Sequence, residues 1–134
     1  MIRVLVSVPV RPTDDRTKVE RALSNLFPDL HVETTPEGLR GETTGLERLG
    51  ELIRNQRIRD TARSVLLRGR TAGRTRFELN KQAAYMGRVS FGATSPLGDI
   101  LVEIQAEDLD AAIDVVAEST VRPKTMTSSR NARR

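Results

Sequence analysis

The sequence predicts an α+β fold: one domain whose antiparallel or mixed β-sheet carries its helices on one face. Three observations predict it. Stretches that alternate apolar and polar residues are interleaved with stretches whose apolar residues recur at spacings of three and four. Strands come in clusters separated by helices, without a regular βαβ alternation. The chain has 134 residues, 37% apolar and 30% charged, enough to bury one ordinary core.

The elements follow in order. Ile2, Val4, Val6 and Val8 alternate with Arg3, Leu5 and Ser7 in a run rich in β-branched residues, which reads as a strand. Pro12-Thr13-Asp14-Asp15 breaks it and supplies N-cap oxygens. Val19, Ala22, Leu23, Leu26 and Phe27 then keep helical spacing up to Pro28. Short strands are expected around Leu30–Thr34 and Leu39–Thr43, joined by a turn at Pro36-Glu37-Gly38. Leu46, Leu49, Leu52 and Ile53 begin a second helix. Ile58, Ala62, Val65 and Leu66 form a further stripe that either continues it or follows a kink near Asn55, and Gly69 ends it.

Arg70–Arg74 reads as a tight connection into a strand with Thr75, Phe77 and Leu79 on its apolar face. Lys81–Met86 is a helical turn, Val89 and Phe91 begin another strand, and Ser95-Pro96-Leu97-Gly98 is a turn before the strand Ile100, Val102, Ile104. Leu109, Ala112, Ile113, Val116 and Ala117 form the last helix, capped by Asp108. The domain is expected to span 1–121, with 122–134 a disordered tail of charge +5.

Composition narrows the function classes. The absence of cysteine excludes disulfides, thiolate metal sites and a cysteine nucleophile, and fits a reducing cytoplasm. No apolar run approaches the roughly 20 residues needed to span a bilayer, and Ile2–Val10 is too short for a secretory signal. The reading is a cytoplasmic protein. His31, the single histidine, has no nucleophile or metal-spaced partner nearby and reads as structural. Glu107, Asp108, Asp110 and Asp114 read as a solvated helix face rather than a cation site. Gly69-Arg70-Thr71-Ala72-Gly73-Arg74 has three residues between its glycines where a nucleotide-binding loop needs four, and arginine where it needs lysine. No catalytic constellation stands out, and nothing calls for a cofactor or metal.

Charge is the informative feature. Residues 54–88 hold ten basic and two acidic side chains, a net +8, while 89–121 hold seven acids and no base, a net −7. Nine of the ten bases are arginine, the side chain suited to bidentate contacts with phosphate or carboxylate. Such a surface points to a polyanion. Arg54, Arg57, Arg59, Arg63, Arg70, Arg74, Arg76 and Lys81 are the candidate nucleic-acid contacts. The competing explanation pairs these arginines with the acids of 99–118 in a solvated network. Phe27, Phe77 and Phe91 sit at core positions, which leaves Tyr85 as the one candidate stacking platform. Backbone and shape are therefore the expected mode of recognition, not splayed bases. At Asn80-Lys81-Gln82 a strand hands over to a helical turn, where helix capping by Asn80 competes with phosphate binding.

The stretches QRIRDTARSVLLRG at 56–69 and FELNKQAA at 77–84, with Ser95-Pro96-Leu97-Gly98, resemble an uncharacterised archaeal protein family, Uncharacterised Protein Family 0201. The resemblance runs through Thr120. It implies a predicted RNA-binding protein, in some members labelled a predicted exosome subunit. It also implies a fold similar to the large-subunit ribosomal protein that binds 5S RNA. The first two stretches carry Arg57, Arg59, Arg63, Arg68 and Lys81. The leading expectation is a non-catalytic RNA-binding accessory protein that contacts structured or ribosomal RNA, as part of an RNA-processing complex. The alternative is a protein-interaction or self-assembly module, including a homodimer, in which 54–88 pairs with an acidic partner or with 89–121 of a second copy.

Overall fold

The structure, a computed structural model, describes residues 2–91 and 99–118. The turn expected at Ser95–Gly98, the domain boundary at 121 and the tail 122–134 lie outside the described residues.

β1 (Ile2–Pro9) is the middle of the architecture. Val4, Val6 and Val8 are at most 3% exposed and point into the core, while Arg3 and Ser7 point away. Each buried valine contributes roughly 1.5–3 kcal/mol. β1 therefore needs neighbours on both edges and a cover on one face. β3 (Gly38–Thr43) and β6 (Ile100–Ala106) supply the edges, both antiparallel, with Val4 opposite Thr43 on one side and Ile104 on the other. β2 (His31–Thr34) extends the sheet beyond β3. β5 (Arg74–Leu79) and the two-residue β4 (Arg70–Thr71) extend it beyond β6. The order is β2-β3-β1-β6-β5-β4, and every pairing is antiparallel. The expected α+β class holds, with the sheet fully antiparallel.

The helices cover the valine face. α1 (Arg16–Leu26) starts at Asp15, whose carboxylate accepts the Thr17 N–H at 3.0 Å. It buries Val19, Ala22, Leu23 and Leu26. α2 (Glu47–Gln56) and α3 (Arg59–Arg68) are separate helices. The break falls at Arg57, in the left-handed region at φ 60°, ψ 42°, rather than at Asn55. α4 (Lys81–Tyr85) is capped by Asn80, which accepts the Ala83 N–H at 2.8 Å. α5 (Leu109–Ala117) is capped by Asp108 and buries five apolar side chains.

One connection follows expectation and one differs. Arg70–Arg74 is the expected tight connection, a hairpin turning at Gly73, whose φ is +72°. A Cβ on Gly69, just before it, would stand 2.0 Å from the Arg76 carbonyl oxygen, so the hairpin folds back onto a residue without a side chain. Val89 and Phe91 do not form a strand. The Gln56 side-chain amide donates to the Val89 carbonyl at 2.8 Å and accepts its N–H at 2.7 Å, using up both groups a neighbouring strand would need. Phe91 is left with an isolated bridge to Leu79 and an edge-on contact with Phe77, centroids 6.0 Å apart.

Candidate nucleic-acid interface

The +8 and −7 segments meet within one chain. α3 and α5 pack antiparallel, and their exposed flanks carry matched spacings. Arg59 and Arg63 are four apart, as are Glu118 and Asp114. Arg59 pairs with Glu118 at 3.0 Å and Arg63 with Asp114 at 2.6 Å. The same Arg63 nitrogen also donates to the Ala117 carbonyl at 3.0 Å. Arg70, just past α3, continues the series to Asp110 at 2.8 Å. Five buried side chains of α5 hold this acidic flank against the arginines.

The open face of the sheet is also charge-balanced. Arg74 and Arg76 on β5 both reach Glu103 on β6, at 4.0 and 3.5 Å, as register places them next to it. Arg3 grips Glu42 with two bonds of 2.7 and 3.1 Å, and Arg40 meets Glu33 at 2.8 Å. The Arg3 guanidinium holds the Glu42 carboxyl below its usual range, and Glu42 raises Arg3 in return. With Leu5, Ser7, Leu101 and Gln105 between these charges, the face presents no Phe or Tyr ring among the described residues, and its one imidazole is the exposed His31 on the β2 edge. It offers no row of rings on which successive bases would stack.

Lys81 plays a different part. Its side chain is 11% exposed, and its Nζ donates to the Pro9 carbonyl and to Asp14, both at 3.1 Å. It therefore ties the end of β1 and the entry to α1 to the start of α4. Asp14 also accepts the Arg11 N–H at 2.8 Å. That backbone bond, with Lys81 second among the attractive contacts, holds the Asp14 carboxyl below its ordinary pKa. Tyr85 is half-buried, with Lys18 Nζ 5.6 Å from its ring centroid, so the ring is not an open platform.

Arg54 and Arg57 remain. Both are exposed, and neither has an acidic partner among the described residues. The Gln56–Val89 bonds bring Arg88 to the same corner, also exposed and without an ion pair among the described residues. Arg68, in the last turn of α3, is exposed and also has no ion pair among the described residues. Arg88 was not among the predicted contacts. It lies 32 positions after Gln56, and only the bonds of the Gln56 side chain to Val89 reveal the proximity. Among the described residues no group of three metal-ligating side chains gathers, His31 lies exposed on β2, and no helix is long and apolar enough to cross a membrane.

A single antiparallel sheet with one helical cover and an arginine-bearing helical flank is the frame of a small α+β domain. Residues 3–107 match the model of a protein family described as RNA binding. The chain is 41% identical over 128 residues to a UPF0201 protein of Methanothermobacter thermautotrophicus, covering 92% of this chain and 97% of the relative. A UPF0201 protein of Thermococcus onnurineus is 46% identical over 112 residues, 78% of this chain and 83% of its own. The crystal structure of a UPF0201 protein from Methanococcus jannaschii superposes with a TM-score of 0.80 at 36% identity, over 90% of this chain and 96% of that one. The chain belongs to this archaeal UPF0201 family, as the motifs at 56–69 and 77–84 indicated.

Proposed function

We propose that this protein is a non-catalytic RNA-binding accessory protein that grips the phosphate backbone of a structured RNA through its arginines, and that it works beside RNA-processing machinery. The observation that carries the reading is the corner of Arg54, Arg57 and Arg88, exposed and without an ion pair among the described residues. Unpaired guanidinium groups clustered on a rigid scaffold raise the local potential and attract polyanions. The family description as RNA binding selects the polyanion. Arg59, Arg63 and Arg70 on the α3–α5 seam, and Arg74 and Arg76 on the open sheet face, join by exchanging carboxylate for phosphate. Lys81 serves chiefly as a structural tie. Its low exposure and two bonds leave it little reach toward RNA.

A charge-balanced sheet face with no Phe or Tyr ring among the described residues, and a single histidine at its edge, supports recognition of backbone and shape rather than of unstacked bases. The self-assembly alternative loses part of its driving force, because four of the seven acids it would offer a second copy, Glu103, Asp110, Asp114 and Glu118, are already engaged within the chain. The test is a titration of structured RNA at several salt concentrations. Roughly five phosphate contacts give a slope of log affinity against log salt of about −3.5 to −4.5. A flat salt dependence overturns the proposal.

A further inference from the structure

We infer that the acidic flank of α5 is a built-in competitor for RNA: Asp110, Asp114 and Glu118 occupy Arg70, Arg63 and Arg59 in the way phosphates would, and so set which polyanions the protein holds. The inference rests on the RNA reading proposed above and adds to it the residues that limit affinity.

Three features carry it. The acids form a row in register with the arginines, with contacts of 2.8, 2.6 and 3.0 Å, so each guanidinium already holds an anionic oxygen. The carboxylates are solvent-facing, 66%, 54% and 63% exposed, so an incoming anion reaches the arginines from the same side. The backbone beneath does not have to move. Leu109, Ala112, Ile113, Val116 and Ala117 fix α5 in the core, and Ala62 and Leu66 fix α3. Exchange is then a matter of side-chain rotation. Each exposed pair is worth at most about fivefold, so a dense array of phosphates displaces the acids and an isolated anion does not. Arginine also suits the exchange, since its planar fork offers carboxylate and phosphate the same two parallel donors.

The device has a signature in salt. Added salt weakens the internal pairs as well as the phosphate contacts, so part of the salt dependence of binding cancels. Removing the acids takes away that cancellation.

The experiment is an RNA titration across a salt series with three full-length proteins. They are the natural chain, the variant Asp110→Asn/Asp114→Asn/Glu118→Gln, and a control Glu20→Gln/Asp29→Asn/Glu37→Gln. The control changes net charge equally at exposed acids that have no ion pair among the described residues. Asp108 stays in place, so the α5 cap is kept. If the triple variant fails to fold by thermal melt, Asp114→Asn/Glu118→Gln carries the same comparison. The expected result is about tenfold tighter binding for the α5 variant than for the control. Its salt slope should be steeper by roughly two, about 0.7 for each freed arginine. Equal gains in the two variants reduce the effect to net charge and overturn the inference. So does an unchanged α5 variant beside a natural chain that binds. Absence of binding in all three proteins overturns the RNA reading itself, and the inference with it.

Discussion

Two arginine groups sit side by side on this protein in different electrical states. Along the α3–α5 seam every arginine of the row 59, 63 and 70 has a carboxylate within 3.0 Å. At the α2–α3 corner, Arg54, Arg57 and Arg88 have none among the described residues. Residue type is the same, and Arg59 and Arg63 are only somewhat less exposed than the corner arginines, so counting arginines does not separate the groups. Availability does. A paired arginine must break one contact to make another, whereas an unpaired one only sheds water and counterions.

The largest effect expected from this difference is at the corner. Reversing its charges with Arg54→Glu, Arg57→Glu and Arg88→Glu lowers RNA affinity on the order of 100-fold. The melting temperature stays near that of the natural chain, because none of the three side chains makes a hydrogen bond or ion pair among the described residues. Thermal unfolding beside the titration separates the two readouts.

Lys81→Met moves the opposite pair of observables. It removes donors from Asp14 and from the Pro9 carbonyl, costing about 1–3 kcal/mol by denaturant unfolding, with little change in RNA affinity. The pH dependence has a definite sign. Asp14 has a lowered pKa in the folded chain, so its contribution is fully present above the ordinary carboxyl pKa of about 4 and is lost as pH falls through the lower folded value. Unfolding measured from pH 6 down to pH 2 should show a smaller acid-side loss in Asp14→Asn than in the natural chain.

Arg57 sharpens the comparison further, because function and backbone pull apart there. An arginine at φ 60° costs about 1–2 kcal/mol against a right-handed conformation, a cost glycine avoids. Arg57→Gly should therefore gain about 1 kcal/mol of stability while weakening RNA binding several-fold. A loss in both would mean that the Arg57 side chain holds the corner together. The smallest effect belongs to the seam. A double-mutant cycle on Arg63→Ala and Asp114→Ala should give a coupling below about 1 kcal/mol, as for other exposed pairs.

Much of the fold was legible. The alternation of Val4, Val6 and Val8 fixed the core face of β1, and Asp15, Asn80 and Asp108 cap the helices as their types suggest. The α2–α3 break lay two residues past the suspected Asn55, because the chain turns on a left-handed arginine where glycine would have been the visible signal. Val89–Phe91 escaped for a tertiary reason: a glutamine 33 positions earlier satisfies its backbone. The candidate site was legible as charge but not as availability. The four-residue spacing of Arg59/Arg63 and of Asp114/Glu118 is plain in the sequence. Only the antiparallel packing of α3 on α5 brings the two into register.

The most direct test of the central claim sets the two groups against each other in one titration. Structured RNA is bound to the shortened chain 1–121, which removes the attraction of the basic tail, with Arg54→Glu/Arg57→Glu in one protein and Arg59→Glu/Arg63→Glu in the other. The account predicts a loss at least several-fold greater for the corner pair, with the seam pair costing less because those arginines are already occupied. Equal losses, or a greater loss at the seam, would contradict it.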